Sequence, residues 1–474
     1  MSSLIPKFTT TQIAALSTQS IATLTTDDWA SFNTAQIAAL TTVQVPAIQT
    51  SDFRALTTAA FAALDSNQFA ALTSLQIGVL TTTQAGVMTT LQAAALVTSD
   101  IGSLSTAAVR ALSTAATAAF DTNQISALNS SQVASLLTTQ VAALGTSQVG
   151  AIDTTDLRAM STAQIAAFNT AHVAALDSNQ AAALSTAQIK AFNTANIAAL
   201  GTNDIGALST ADVAVLGTDQ IAALNTNQIV ALSSLHASVL SSAQVGALNT
   251  AQANALETSD LAAVSTTAVR ALSTAASAAL TTDQIAALTS SQIGAMTSAQ
   301  FGALNTAQIA AIETTDISAI TTVNVRAITT AGIAALGTDQ IQALSSTQVA
   351  ALSSSQFGAL NTAEIAALQS NDFAALNSTQ IGALNTAQAA AISTTGIGQL
   401  STTALRALST ADVNALDTSQ ISALTSTQLA ALSTAQTSAL NTAQVAVLST
   451  VDAQALNSAQ VAAFNTAQAA ALTT

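Results

Sequence analysis

The chain repeats itself every eight residues without a single slip. Residues 161–192 read STAQIAAF NTAHVAAL DSNQAAAL STAQIKAF, and the same register runs from Phe8 to Leu472. Every multiple of eight carries Leu, Ile, Phe, Met or Val, so residues 1–472 form 59 octads, with Thr473 and Thr474 left over. Place two is always Thr or Ser, place four usually Gln and less often Asp, and place five usually Ile or Val. Place seven is nearly always Ala, and place one is mostly Ser, Asn, Thr, Asp or Gly. A strict short period marks a repeat architecture. It overrides the several domains that 474 residues would otherwise suggest, so the expectation is one continuous repeat domain over 1–474.

Ala, Leu and Gln favour helix, and Ala is a poor strand former. One long helix is excluded by geometry. Eight residues at about 100° each overshoot two turns by about 80°, so a stripe made by places five and eight would wind around such a helix and never face one partner. Each octad is therefore a short helix followed by a break. Place one favours helix-capping residues, and Gln or Asp follows three residues later, which is the capping-box spacing. The Thr or Ser at place two is the alternative cap, and the sequence leaves the two open. The helix runs from place one or two to about place eight, with places five and eight sharing a face. A small Ala at place seven permits close approach of a neighbour. Place six is expected to be exposed, because it holds seven of the eight basic residues: Arg54, Arg110, Arg158, Lys190, Arg270, Arg326 and Arg406.

A single octad cannot fold alone. Burying its two large apolar residues contributes about 3–6 kcal/mol, whereas ordering eight backbone units costs about 8–16 kcal/mol. Octads must stack, which gives an all-α solenoid of 59 short capped helices. The competing architecture, a parallel β-solenoid, would show a strand spectrum by circular dichroism. The place-four residues Asp52, Asp100, Asp156, Asp204, Asp260, Asp316 and Asp372 step by six or seven octads, which suggests a superhelical turn of that size. Asp100/Arg110, Asp260/Arg270 and Asp316/Arg326 share a ten-residue spacing and are expected to pair across adjacent octads. Duplication is also visible: STAAVRAL STAATAAF at 105–120 returns as STTAVRAL STAASAAL at 265–280, and polar Thr117, Ser277 and Thr437 interrupt the core place at 160-residue intervals.

Composition narrows function by exclusion. Half the residues are apolar, but every octad interrupts itself with polar residues, so no run approaches a membrane span. Eight basic residues and a net charge of −15 argue against nucleic-acid binding. Aromatic residues at 3% with no Tyr argue against base stacking or a rich ligand pocket. There is no cysteine for disulfide or thiol chemistry. His172 and His236 are the only imidazole bases. Each occupies place four, where a tolerated surface substitution for Gln is the expectation and no catalytic triad is offered. The acidic pairs Asp153/Asp156, Glu257/Asp260 and Glu313/Asp316 have a spacing that could contribute to a calcium site, but they equally suit the positive end of a helix dipole, which is the preferred reading. Hydroxyls at place two raise ice binding, yet Ser replaces Thr there freely, at Ser66, Ser74, Ser130 and Ser290. A cap tolerates that exchange and a lattice match does not. No catalytic, cofactor or metal residues are assigned, and no enzyme activity is expected.

The [ST]-x-Q-[IV]-x-A-L pattern, as in STAQIAAF and NTAQVAVL, resembles long Thr/Ala-rich octapeptide-repeat proteins of bacteria, often labelled haem-utilisation or adhesion proteins. The resemblance covers the whole chain and rests on the repeat alone. It implies an extracellular or cell-surface role. The opening MSSLIPKF is not a standard secretory signal, so that role implies another export route. The expected function is structural: a subunit of an extracellular filament, tube, sheath or surface coat that partners with itself. The last octads, NSAQVAAF NTAQAAAL, look like internal ones, and an uncapped solenoid end invites head-to-tail contact. A monomeric or tethered adhesin rod is the alternative.

Overall fold

A computed structural model describes residues 3–472. The chain divides into two compact units, Met1–His236 and Ala237–Thr474, and the same construction holds within each. The described residues form 57 short α-helices and two 3₁₀ helices, one per octad, with no strand among them. The two 3₁₀ helices are Ile5–Lys7 and Val45–Ala47. Each holds a proline, Pro6 or Pro46, at place six. Proline has no N–H to give to the carbonyl four residues back, so these octads tighten into 3₁₀ turns.

The cap sits at place one. In octad 305–312, the Asn305 side-chain oxygen accepts from the Gln308 N–H at 2.9 Å, and Gln308 Oε1 accepts from the Asn305 N–H at 2.9 Å. The same reciprocal box closes octad after octad, with Ser, Thr, Asn or Asp at the cap. Where place one is Gly145, Gly217 or Leu137, the returning Gln half remains, at 2.7 Å in each case. Place two opens the helix, and the helix spans five or six residues in most octads, as in Thr306–Ala310 and Thr338–Ala343. Place eight is extended, for example Leu344 at φ −66° and ψ 135°. This extended residue turns the chain into the next cap.

Places five and eight form the core. Ile165 is 0% exposed and Phe168 2%, and the same two places are buried along the solenoid apart from its first and last octads. Place-five side chains of successive octads touch: the rings of Phe53, Phe61 and Phe69 stand 6.0 and 5.3 Å apart, edge to face. Thr117, Ser277 and Thr437 occupy this place fully buried and donate their hydroxyls to the carbonyls of Ser113, Ser273 and Ser433, at 3.0–3.1 Å. That bond is why a polar residue is tolerated there. Place six is exposed, and all seven basic residues there are exposed with it.

The turn is half the size that the Asp spacing suggests. Each helix packs on the one three octads further along: Ser130–Ser135 lies on Thr154–Ala159, and Ser298–Ala303 lies on Thr322–Ala327. Place six also lies against the place-seven carbonyl three octads on, as in the Ser126 hydroxyl to the Ala151 carbonyl at 2.8 Å. Hydrogen bonds reach back four octads, over 28 and 31 residues. One turn therefore takes between three and four octads. The step of seven octads between Asp260 and Asp316, or Asp316 and Asp372, spans two turns.

Candidate functional site

The most built polar feature of the molecule is the place-four glutamine. Gln is ordinarily a surface residue, yet Gln164, Gln308, Gln348 and their counterparts are buried. Each performs two jobs. Its Oε1 closes the capping box of its own helix. Its Nε2 donates to the carbonyls of places five and eight four octads earlier: Gln348 reaches Ile317 at 2.9 Å and Ile320 at 2.6 Å. Gln68 does the same to Ile37 at 2.9 Å and Leu40 at 2.6 Å. The place-five carbonyl also accepts from the place-eight N–H of its own octad, as Ile317 does from Ile320 at 3.2 Å, while the place-eight carbonyl lies past the helix end, so the amide of one turn caps the helix of the turn before. Repeated along each unit, this makes a ladder of buried amides.

The histidines correct a sequence expectation. They are not surface substitutions: His172 is 3% exposed and His236 5%. His172 Nε2 lies 2.8 Å from the Leu144 carbonyl, and Nδ1 faces the Asn169 N–H at 3.4 Å. His236 makes the equivalent contacts with Leu208 and Ser233, at 2.8 and 3.2 Å. A neutral imidazole with its proton on Nε2 offers one donor and one acceptor and so does the work of the glutamine. Asn196 and Asn324 keep a single rung each, to Phe168 at 2.9 Å and Met296 at 2.8 Å.

Aspartate at place four cannot donate, and its carboxylate finds a different partner. A serine hydroxyl at place two, three octads earlier, donates to it: Ser346 to Asp372 at 2.8 Å and Ser426 to Asp452 at 2.9 Å. Ser74–Asp100, Ser130–Asp156 and Ser290–Asp316 are bonded in the same way. These contacts replace the acid–base pairing expected for Asp100/Arg110 and Asp316/Arg326. Arg326 instead directs its Nε to the Ala351 carbonyl at 2.9 Å. Asp153, Glu257 and Glu313 stand at the cap position, but their side chains accept no helix N–H. Among the described residues, no group of three His, Asp or Glu side chains could hold a metal ion. The grooves are open to solvent, as in one of about 460 Å³ over Thr202, Gly206 and Val230.

Burial raises the carboxyl pKa of Asp52, Asp156 and Asp204, against the lowering effect of their serine or backbone hydrogen bonds. Burial likewise raises Glu364, which accepts from the Asn361 N–H at 2.7 Å. A raised folded-state pKa means that the folded state binds the proton more tightly than the unfolded chain. The penalty is full above the raised pKa and disappears as pH falls through it toward the ordinary carboxylate range. Asp28 runs the other way, held down by the hydroxyl of Ser3 and by Thr25. The expected result is a Tm that rises on acidification from pH 7 toward pH ~5. Glu364→Gln should remove part of that rise and also stabilise the protein at pH 7. The new amide can donate to the carbonyls of Ile333 and Leu336, a gain of about 1–3 kcal/mol for two bonds. Urea titrations of both proteins at two pH values check this, and a destabilised Glu364→Gln would contradict it.

Twelve matches to one family model, described as the ALTTAQ repeat, run from residue 45 to residue 426, and together they cover most of the chain. The chain belongs to the ALTTAQ-repeat family. The ALTTAQ motif itself spans place seven to place four: the small Ala, the core Leu, the cap, the helix start and the ladder Gln. The structure explains why an ALTTAQ repeat holds these together, since cap and rung are two ends of one glutamine side chain. No curated protein matches the chain.

Proposed function

We propose that the chain is a non-catalytic structural protein: a subunit of an extracellular bacterial filament, tube, sheath or surface coat. The observation that carries this reading is the ladder. The polar side chains placed with most precision are turned inward and used up in joining octads, and the joint between octads four apart recurs along the chain. A surface that fits its own copy at every step suits stacking and self-association. Low charge density, 7% of residues, leaves little electrostatic opposition to lateral contact. No helix among the described residues is long and apolar enough to cross a membrane.

A second reading, an adhesin or spacer rod, draws on a different observation. Apolar side chains at place three stand out in solvent: Leu75 is 74% exposed, Leu91 73% and Leu235 70%. The bacterial surface and haem-utilisation labels attach to proteins with similar repeats. His172 and His236 add nothing to a haem reading, since both ring nitrogens of each are engaged in the ladder.

Electron microscopy of the purified protein over a concentration series tests the proposal. Filaments, tubes or sheets with a regular axial repeat are expected. Isolated particles at every concentration would overturn it and favour the rod with a partner on its surface.

A further inference from the structure

The ladder has gaps, and the longest run over consecutive octads. In residues 97–120, three consecutive octads carry Asp100, Ala108 and Ala116 at place four. The flanking rungs are intact: Gln92 donates to Leu64 at 2.8 Å and Gln124 to Leu96 at 2.7 Å. Between them the carbonyls of Leu72, Leu80 and Met88 face places that have no amide to give. Residues 393–416 repeat the arrangement with Gly396, Ala404 and Asp412. The rungs on either side are Gln388 to Leu360 and Gln420 to Ile392, at 2.5 and 2.6 Å, while the carbonyls of Leu368, Leu376 and Leu384 are passed over. Residues 265–280, with Ala268 and Ala276, make another gap. One turn takes three to four octads, so a three-octad gap strips nearly every amide rung from one interface between turns.

The gaps are filled with apolar contact instead. Ala108, Ala116 and Ala404 are 0% exposed. At Gly396, the Phe373 ring from three octads earlier lies so close that an added Cβ would collide with it. Packing continues across the seam, while directional contact thins to the Ser74–Asp100 bond in the first gap.

A second pattern follows the first. All six arginines sit at place six of an octad whose place four is not Gln: Arg54 with Asp52, Arg110 with Ala108, Arg158 with Asp156, Arg270 with Ala268, Arg326 with Asn324 and Arg406 with Ala404. Arg326 shows what the position allows, since its Nε reaches the Ala351 carbonyl in the following turn.

We propose that the gapped stretches are joints: the interfaces between turns at which each unit opens first. Hydrophobic contact is non-directional and tolerates sliding, whereas a buried amide bonded to two carbonyls fixes both distance and register. Turns joined mainly by the former open at lower free energy than turns joined by both. Opening at the joints is a property of the single folded chain and does not depend on self-assembly.

Amide hydrogen exchange on the full chain, read by mass spectrometry, tests it. Peptides from 97–120 and 393–416 should exchange faster by about tenfold or more than those from 337–360, where Gln340, Gln348 and Gln356 all make rungs. The double variant Gln348→Ala/Gln356→Ala should create a new joint and bring 345–360 into the fast class. Equal protection of gapped and laddered stretches in the unaltered protein would overturn the proposal. So would a folded double variant with unchanged exchange at 345–360.

Discussion

Gln348→Leu should lower the free energy of unfolding by about 2–4 kcal/mol, although it exchanges one side chain for another of similar size. The substitution removes a donor and an acceptor together. The Ser345 N–H loses Oε1 at 2.7 Å, and the carbonyls of Ile317 and Ile320 lose Nε2. The two carbonyl bonds are buried and the Ser345 bond is half-buried. A buried group left without a partner costs about 1–3 kcal/mol; the Ser345 N–H and the Ile320 carbonyl lose theirs, while the Ile317 carbonyl keeps the Ile320 N–H at 3.2 Å. Leu would recover part of this through apolar burial, which is why the expected loss stays below the sum. Gln348→Glu should be worse, since it keeps the acceptor for Ser345 but turns a carboxylate oxygen toward two carbonyl oxygens. Urea unfolding with local exchange as a second probe measures both. A Leu variant as stable as the parent would mean that the amides are decoration on an apolar core.

Phe357→Ala should cost about 3–5 kcal/mol, the largest single-site effect expected. Phe357 is 0% exposed at place five, between the place-five residues Val349 and Ile365 of its flanking octads. Neither has spare volume to fill the space, and the ladder rungs Gln348 and Gln356 hold the backbone on both sides against collapse. The native chain does place Ala at this position, as in Ala85 and Ala93, but there Phe61 and Phe69 stand three octads earlier, within reach across one turn. Large and small residues thus face each other at those two positions. Phe357 has no such large partner: the place-five residues three octads to either side are Ile333 and Ile381. Thermal or urea unfolding checks the cost. A loss under about 1 kcal/mol would show that the core closes on the cavity, contrary to a backbone fixed by rungs.

The period, the one-helix-per-octad plan, the capping chemistry and the exposed place-six arginines are all legible from residue types, because each depends on contacts within eight residues. The second job of glutamine is not, because it depends on which octad returns to meet which. A capping box already accounts for Gln three residues after a Ser or Asn, so nothing local demands a further role. One signal does exist: His172, His236, Asn196 and Asn324 replace Gln with side chains that still carry an N–H donor. A surface position would accept Lys or Arg, which never appear there. The turn size escapes a sequence reading for a related reason. Asp52 to Asp372 mark places where the ladder is interrupted, and an interruption recurring on every second turn reports twice the true repeat. The serine that serves each of Asp100, Asp156, Asp316 and Asp372 lies 26 residues upstream, and that offset carries the single-turn spacing.

Ladder, gaps and core packing all require a chain that returns on itself after three to four octads. The absence of native cysteine allows a clean test of that return by engineered cross-linking. A Cβ on Gly78 would stand 4.0 Å from that of Ser103, and one on Gly294 would stand 3.8 Å from that of Ala319, both within the range a disulfide spans. Mild oxidation of Gly78→Cys/Ser103→Cys, and separately of Gly294→Cys/Ala319→Cys, should give an intramolecular disulfide in nearly all folded molecules. The same proteins in urea should form it slowly. Folded protein whose paired thiols stay free under oxidation would contradict the turn, and with it the ladder that the turn creates.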